Sequence, residues 1–167
     1  MNWGNVFEIK QKQAPATDDQ ILYLQKETLK PLTSEEIAGA ISMQLLPLDP
    51  VPWELPQKPF PQSYVDFLRW SNGGSFVHGE REFDMFDTHS IREYLLAYQL
   101  PAYMKGAIPF AFNGGGVFYL FDMRREPIKG EYPIFMADSG SLDWEDALHV
   151  ADSFISACRG TTDLWYA

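Results

Sequence analysis

Chemistry in this chain would have to come from three histidines, His78, His89 and His149, one cysteine, Cys158, and the serines Ser63, Ser71, Ser75 and Ser139. The histidines form neither H-x-x-x-H nor H-x-x-E-H, the helical spacings that place two imidazoles on one metal, so a zincin is excluded. A site that gathers a histidine and carboxylates only in space stays open at this level. None of the serines lies in G-x-S-x-G, the strained turn that exposes a nucleophile. Cys158 falls on the apolar side of the last helix and reads as a buried structural thiol. As the lone cysteine it also excludes an internal disulfide and a Cys-based zinc site. Asn113 to Gly116 offers backbone N–H groups that could converge on a phosphate, but a P-loop opens a helix through Gly-Lys-Ser/Thr. A strand follows here, so these residues read as a turn between strands. Asp138, Asp143, Glu145, Asp146 and Asp152 lack the alternating ligands and central glycine of a calcium loop. No catalytic centre, metal or cofactor is expected.

What remains is binding. Asp and Glu number 23 against 13 Lys and Arg, a net charge of −10, which repels phosphate backbones and anionic lipid. Nucleic acid and membrane surfaces are therefore set aside, and a basic protein is the expected partner. The charge is richest in two stretches, Glu80, Glu82 and Asp84, then Asp138, Asp143, Glu145 and Asp146, both on turns or sheet-edge loops. Each has two readings, a solvated surface or a docking surface for a cationic partner. Trp144, set between Asp143 and Glu145, is the candidate apolar anchor, because buried tryptophans dominate interface energetics. The longest apolar run, Val117 to Phe121, is far below the roughly 20 residues of a membrane span. The N-terminus lacks the pattern of a signal peptide, so a cytoplasmic protein is expected.

These residues need a scaffold, and 46% apolar and 15% aromatic residues suffice for a packed core. Thr17 or Asp18 caps a helix to about Lys30, with Ile21, Leu22, Leu24 and Leu29 turned inward. Thr33 and Glu36 have capping-box spacing, followed by a helical stripe of Ile37, Ile41 and Leu45. Six prolines from Pro47 to Pro61 make a linker, pinned by Trp53 and Leu55. Pro61 opens a helix that buries Tyr64, Val65, Phe67, Leu68 and Trp70, and Asn72-Gly73-Gly74 ends it. A hairpin follows over Phe76–His78 and Glu82–Phe86, then an amphipathic helix with Ile91, Tyr94, Leu95 and Tyr98 at i, i+3, i+4 and i+7. Ile108–Phe112, Val117–Phe121, Tyr132–Ala137 and Ala147–Val150 read as strands, the first an edge strand or strand start because of Pro109. Asp152 or Ser153 caps a last helix closed by Gly160. Strands joined by short turns and helices in blocks give an α+β fold, a largely antiparallel sheet packed by several helices. Residues 1–32 read as an N-terminal extension with a short helix, and 33–167 as the main domain, the whole forming one compact unit.

The segment Pro61-Gln62-Ser63-Tyr64-Val65-Asp66-Phe67-Leu68 with Asn72-Gly73-Gly74 resembles the proline, tyrosine, leucine and "NGG" segment of the SUKH superfamily. Ile108-Pro109-Phe110-Ala111, the turn with Gly115 and Gly116, Val117 to Asp122 and Val150 to Phe154 are similar to it as well. The likeness runs over roughly residues 33 to 160. Asn113 stands where the pattern commonly has an aspartate, and the proline-rich segment is longer than usual. The resemblance implies an α+β fold without a catalytic centre. It also implies the role of a fungal cell-wall assembly regulator or of a bacterial immunity protein that neutralises a toxin, often a nuclease. An immunity protein is the leading expectation. A regulatory interaction module of the same fold and an enzyme of unknown type remain the alternatives.

Overall fold

The computed structural model describes residues 1–42 and 53–166. Leu45, Pro47, Pro50 and Pro52, with the side chain of Ile41, lie outside the described residues. Seven strands form one antiparallel sheet in sequence order: β1 (Glu8–Lys12), β2 (Gly74–His78), β3 (Arg81–Met85), β4 (Ala107–Phe112), β5 (Val117–Asp122), β6 (Ile134–Asp138) and β7 (Leu148–Ala151). The helices are α1 (Asp18–Glu27), α2 (Ser34–Ser42), α3 (Gln62–Trp70), α4 (Ser90–Ala97), α5 (Leu100–Tyr103) and α6 (Phe154–Arg159). This is the α+β architecture expected.

The first face of the sheet is packed by α3 and α6. Phe76, Phe83, Phe110, Tyr119 and Phe121 point there and meet Tyr64, Phe67 and Phe154, all buried. Their rings meet mainly edge-on or tilted, as in Tyr64–Phe121 at 5.1 Å and Phe110–Phe154 at 5.4 Å. Such pairs contribute about 0.5–1.5 kcal/mol each beyond the area they bury. Every residue expected in the core (Tyr64, Phe67, Leu68, Ile91, Leu95, Phe110, Val117, Tyr119 and Phe154) is buried.

The second face is covered only in part. Helix α4 lies over β4, and Phe86, Tyr94, Tyr98, Phe112 and Phe118 form one aromatic cluster beneath and beside it that reaches β5. Arg92 ties α4 to the chain before it. Its Nε and Nη2 donate to the two Glu36 oxygens at 2.8 and 2.6 Å, and its Nη1 donates to the Thr28 and Lys30 carbonyls. Glu36 also closes the expected capping box with Thr33. The Arg92 guanidinium holds the Glu36 carboxyl down at about 2.

The structure corrects several expectations. The N-terminal residues, which the sequence left weakly patterned, join the sheet: β1 pairs with β2, and Trp3 and Phe7 are buried among Phe67, Phe76 and Phe154. All five residues of β1 are exposed, so this edge strand carries no apolar alternation for a sequence pattern to detect. Leu22 is exposed because the buried stripe of α1 runs through Ile21 and Leu24. Pro109 is in a central strand rather than at an edge, and the register shifts between Pro109 and Ala111. Such an irregularity is where a strand tolerates a residue without an N–H. Helix α3 ends at Trp70 with the Ser71 N–H bonded to the Phe67 carbonyl, before the glycines. Gly73 and Gly74 have φ of 88° and 114° and serve the next element: a Cβ at 74 would overlap the Gln11 carbonyl of β1, and one at 73 would sit 2.9 Å from the Met85 carbonyl of β3.

Candidate functional site

The two acidic stretches are built differently. Glu82 and Asp84 alternate with the buried Arg81, Phe83 and Met85 along β3, so their side chains stand on the second face. Opposite them on β2 are Val77 and Ser75, and the Ser75 hydroxyl donates to Asp84 Oδ1 at 2.9 Å. Asp84 also lies opposite Phe112 of β4. Glu80 is exposed in the turn between β2 and β3. Asp87, next along, is occupied as a cap, accepting from the His89 and Ser90 N–H groups.

The Asn113–Gly116 turn is structural, as the following strand implied. Asn113 Oδ1 accepts from the Gly115 N–H, and Gly114 has φ 89°. A side chain at 114 would run into the Glu82 carboxylate, while Gly116 is bonded through its carbonyl to the Ser139 N–H. The turn thus stands between Glu82 and the start of the second acidic stretch at Asp138.

That second stretch divides. Asp138 is at the end of β6 beside the glycine turn and accepts from the Gly140 N–H. The loop then folds back along the sheet, and Asp143 to Asp146 reach the opposite end of β4 and β5. Trp144 there donates its indole N–H to the Lys105 carbonyl at 3.0 Å. Arg124 lies 3.7 Å over the ring, and Phe135 meets it edge-on at 5.4 Å. The half-buried ring of Trp144, the candidate apolar anchor, has an internal partner for its face, its edge and its N–H. Asp143 Oδ1 accepts from the Glu145 N–H, while Glu145 and Asp146 are exposed.

The carboxylates differ in their partners more than in their number. Glu8, Asp18, Glu27, Glu36, Glu54, Asp122, Glu126 and Asp152 each lie within 4.0 Å of a cationic or histidine nitrogen. Among the described residues, none of Glu80, Glu82, Asp84, Asp138, Asp143, Glu145 or Asp146 is part of such a pair. Cys158 is buried and its thiol is pushed up by desolvation, the opposite of an activated nucleophile. The three histidines are spent on separate local contacts: His78 on the Cys158 and Gly160 carbonyls, His89 on Thr88 and Tyr23, His149 on Asp152. No group of His, Cys, Asp or Glu placed to hold a metal is found among the described residues. None of the described helices is long and apolar enough to cross a membrane.

Pro61, Tyr64, Leu68, Asn72, Gly73 and Gly74 form the α3-to-β2 corner, with Asn72 Oδ1 accepting from the Thr88 N–H at the entrance to α4. Pro109, Phe110, Gly115 and Gly116 build the β4–β5 hairpin. These residues shape the scaffold that presents the carboxylates. An antiparallel meander with helices on both faces defines an α+β domain, one that displays carboxylates without an ion-pair partner among the described residues. The model of the SMI1 / KNR4 family (SUKH-1) matches residues 48–156, more than half of the chain, and the protein belongs to that family. No curated protein matches it. The family match begins after α1 and α2, so the N-terminal strand that completes the sheet lies outside it.

Proposed function

We propose that this protein is a non-catalytic immunity protein that binds a basic toxin domain in the cytoplasm and covers its working surface. Membership of the SUKH-1 family supports a binding role of this kind. The observation that carries the reading is the set of acidic side chains without an ion-pair partner among the described residues, on a chain of net charge −10. A nuclease suits such a partner surface, since a cleft that holds phosphates is lined with cations that carboxylates can occupy instead.

The test is to recover the basic partner by pull-down from the native host and co-express it with this protein, read as rescue of growth, together with association rates of the purified pair at two salt concentrations. Rescue, with an on-rate that falls as the Debye length shortens from ~10 Å at 0.1 M to ~3 Å at 1 M, is the expected outcome. Binding without rescue would assign the protein to regulatory interaction instead. An on-rate indifferent to salt would remove the electrostatic role of the carboxylates.

A further inference from the structure

We infer that the docking surface is the uncovered second face of β1–β3 with the aromatic flank of α4, and that it receives an arginine-bearing segment of a basic protein. This rests on the binding role proposed above and selects one of the two acidic regions for it. Over β4 the second face is roofed by α4, and Tyr98 after it reaches Phe118 of β5; over β1–β3 no described element covers it. Its floor is formed by Glu8, Gln11, Ser75, Val77, Glu82 and Asp84, none of them buried, with Lys10 paired to Glu8 at its β1 edge and near enough to Glu82 to feel its charge. Three strands at a spacing of about 4.8 Å give a floor about 10 Å wide, room for a single helix or extended segment. Beyond the floor, at the glycine end of β2, lies a cavity of about 600 Å³, lined among others by Thr17, Gly74, Phe86, Asp87, Ser90 and Tyr94.

The chemistry of the surface selects the occupant. Glu80, Glu82 and Asp84 are without ion-pair partners among the described residues, and Asp84 is oriented by Ser75. Phe112 is directly across from Asp84, so the two side chains are neighbours on one face. Tyr98 meets Phe112 at 6.2 Å and Phe118 at 5.0 Å, and it is 37% exposed. A cation held by Asp84 therefore has an aromatic wall beside it. Guanidinium, planar and weakly hydrated, uses both features, forking onto a carboxylate while stacking on a ring; ammonium uses the charge alone. The region of Asp143–Asp146 lacks this vacancy, because Arg124 already occupies the face of Trp144.

The experiment is a titration of the ¹⁵N-labelled full chain with capped hexa-arginine and hexa-lysine peptides, followed by amide chemical shifts. Hexa-arginine should move amides of β2, β3 and α4 and bind several-fold tighter than hexa-lysine. Glu82→Gln with Asp84→Asn should weaken it about tenfold. Tyr98→Leu, which keeps the apolar contact with Phe112, should abolish the preference for arginine while lysine binding persists. The triple change Asp143→Asn, Glu145→Gln and Asp146→Asn should leave both affinities unchanged. Shifts centred on residues 138–146, or equal binding of the two peptides with no effect of Tyr98→Leu, would overturn the proposal. Growth rescue separates this from the immunity reading. Rescue that survives Glu82→Lys with Asp84→Lys removes the docking surface and keeps the immunity role, whereas peptide mapping as expected without any rescue does the reverse.

Discussion

The two halves of the sheet differ in how many of their faces are covered. In β4 and β5 every residue but the last is buried, because α3 and α6 lie on one side and α4, with Tyr98 after it, on the other. In β3 buried and more exposed residues alternate, and β1 is exposed along its whole length. Cover on both faces makes a strand a source of stability, whereas a single covered face leaves the other available for recognition. The contrast also separates roles within one hairpin: Phe83 holds the core while its neighbours Glu82 and Asp84 stand on the open side.

The largest test of this contrast is truncation. Phe110→Ala, in the doubly covered half, should cost about 3–5 kcal/mol, while Val77→Ala on the open face should stay within about 0.5 kcal/mol. Urea unfolding of both variants measures the difference, and equal costs would erase the distinction between the halves. Next is the Arg92 clamp that seats α4 over the covered half. Arg92→Ala leaves Glu36 and several carbonyls without their partner and should cost about 3 kcal/mol.

The same pair sets an acid limit. The folded carboxyl of Glu36 is lowered from 4.5 to about 2, so the folded state binds its proton less readily than the unfolded chain. Its stabilisation is complete above the unfolded value and fades as pH falls from about 4.5 toward about 2. Melting temperatures across that window should decline less steeply in Glu36→Gln than in the native protein. Identical slopes would dissociate the clamp from acid stability.

A smaller effect is expected at the corner between the halves. Gly74→Ala forces a side chain into a φ of 114° against the Gln11 carbonyl and should cost about 1–3 kcal/mol. Hydrogen exchange should quicken in β1 first, and protection unchanged there would show that β1 does not depend on this close approach. The smallest expected effect on stability comes from the open face. Glu82→Gln with Asp84→Asn should leave the melting temperature within about a degree, consistent with surface changes inside about 0.5 kcal/mol. A marked loss of stability would mean that these carboxylates are structural.

Local signals were legible wherever one physical rule acted alone. The Thr33–Glu36 capping box, the Ser153 cap of α6, the buried positions of α3 and α4 and the β2–β3 hairpin all follow from short-range hydrogen bonding or a 3.6- or 2-residue period. The candidate acidic residues were legible as charge but not as surfaces. Nothing in the spacing of Asp138 and Asp143 says that the loop between them runs from one end of the sheet to the other. Nor does the sequence around Trp144 disclose Arg124, Lys105 and Phe135 as its neighbours, since all three are contributed by other elements.

By itself the amino-acid order determined the α+β class, most helices, the apolar faces of the central strands and the acidic balance, because composition and periodicity act within a few residues. Only the tertiary structure decided that Glu8–Lys12 becomes a strand, that Pro109 is accepted in mid-sheet, and that Trp3 and Phe7 complete a core built mostly far along the chain. It alone decided that α4 roofs β4 and leaves β1–β3 open. Each of these depends on pairing and packing between residues distant in sequence, where the energy belongs to the contact and neither segment carries its signature alone.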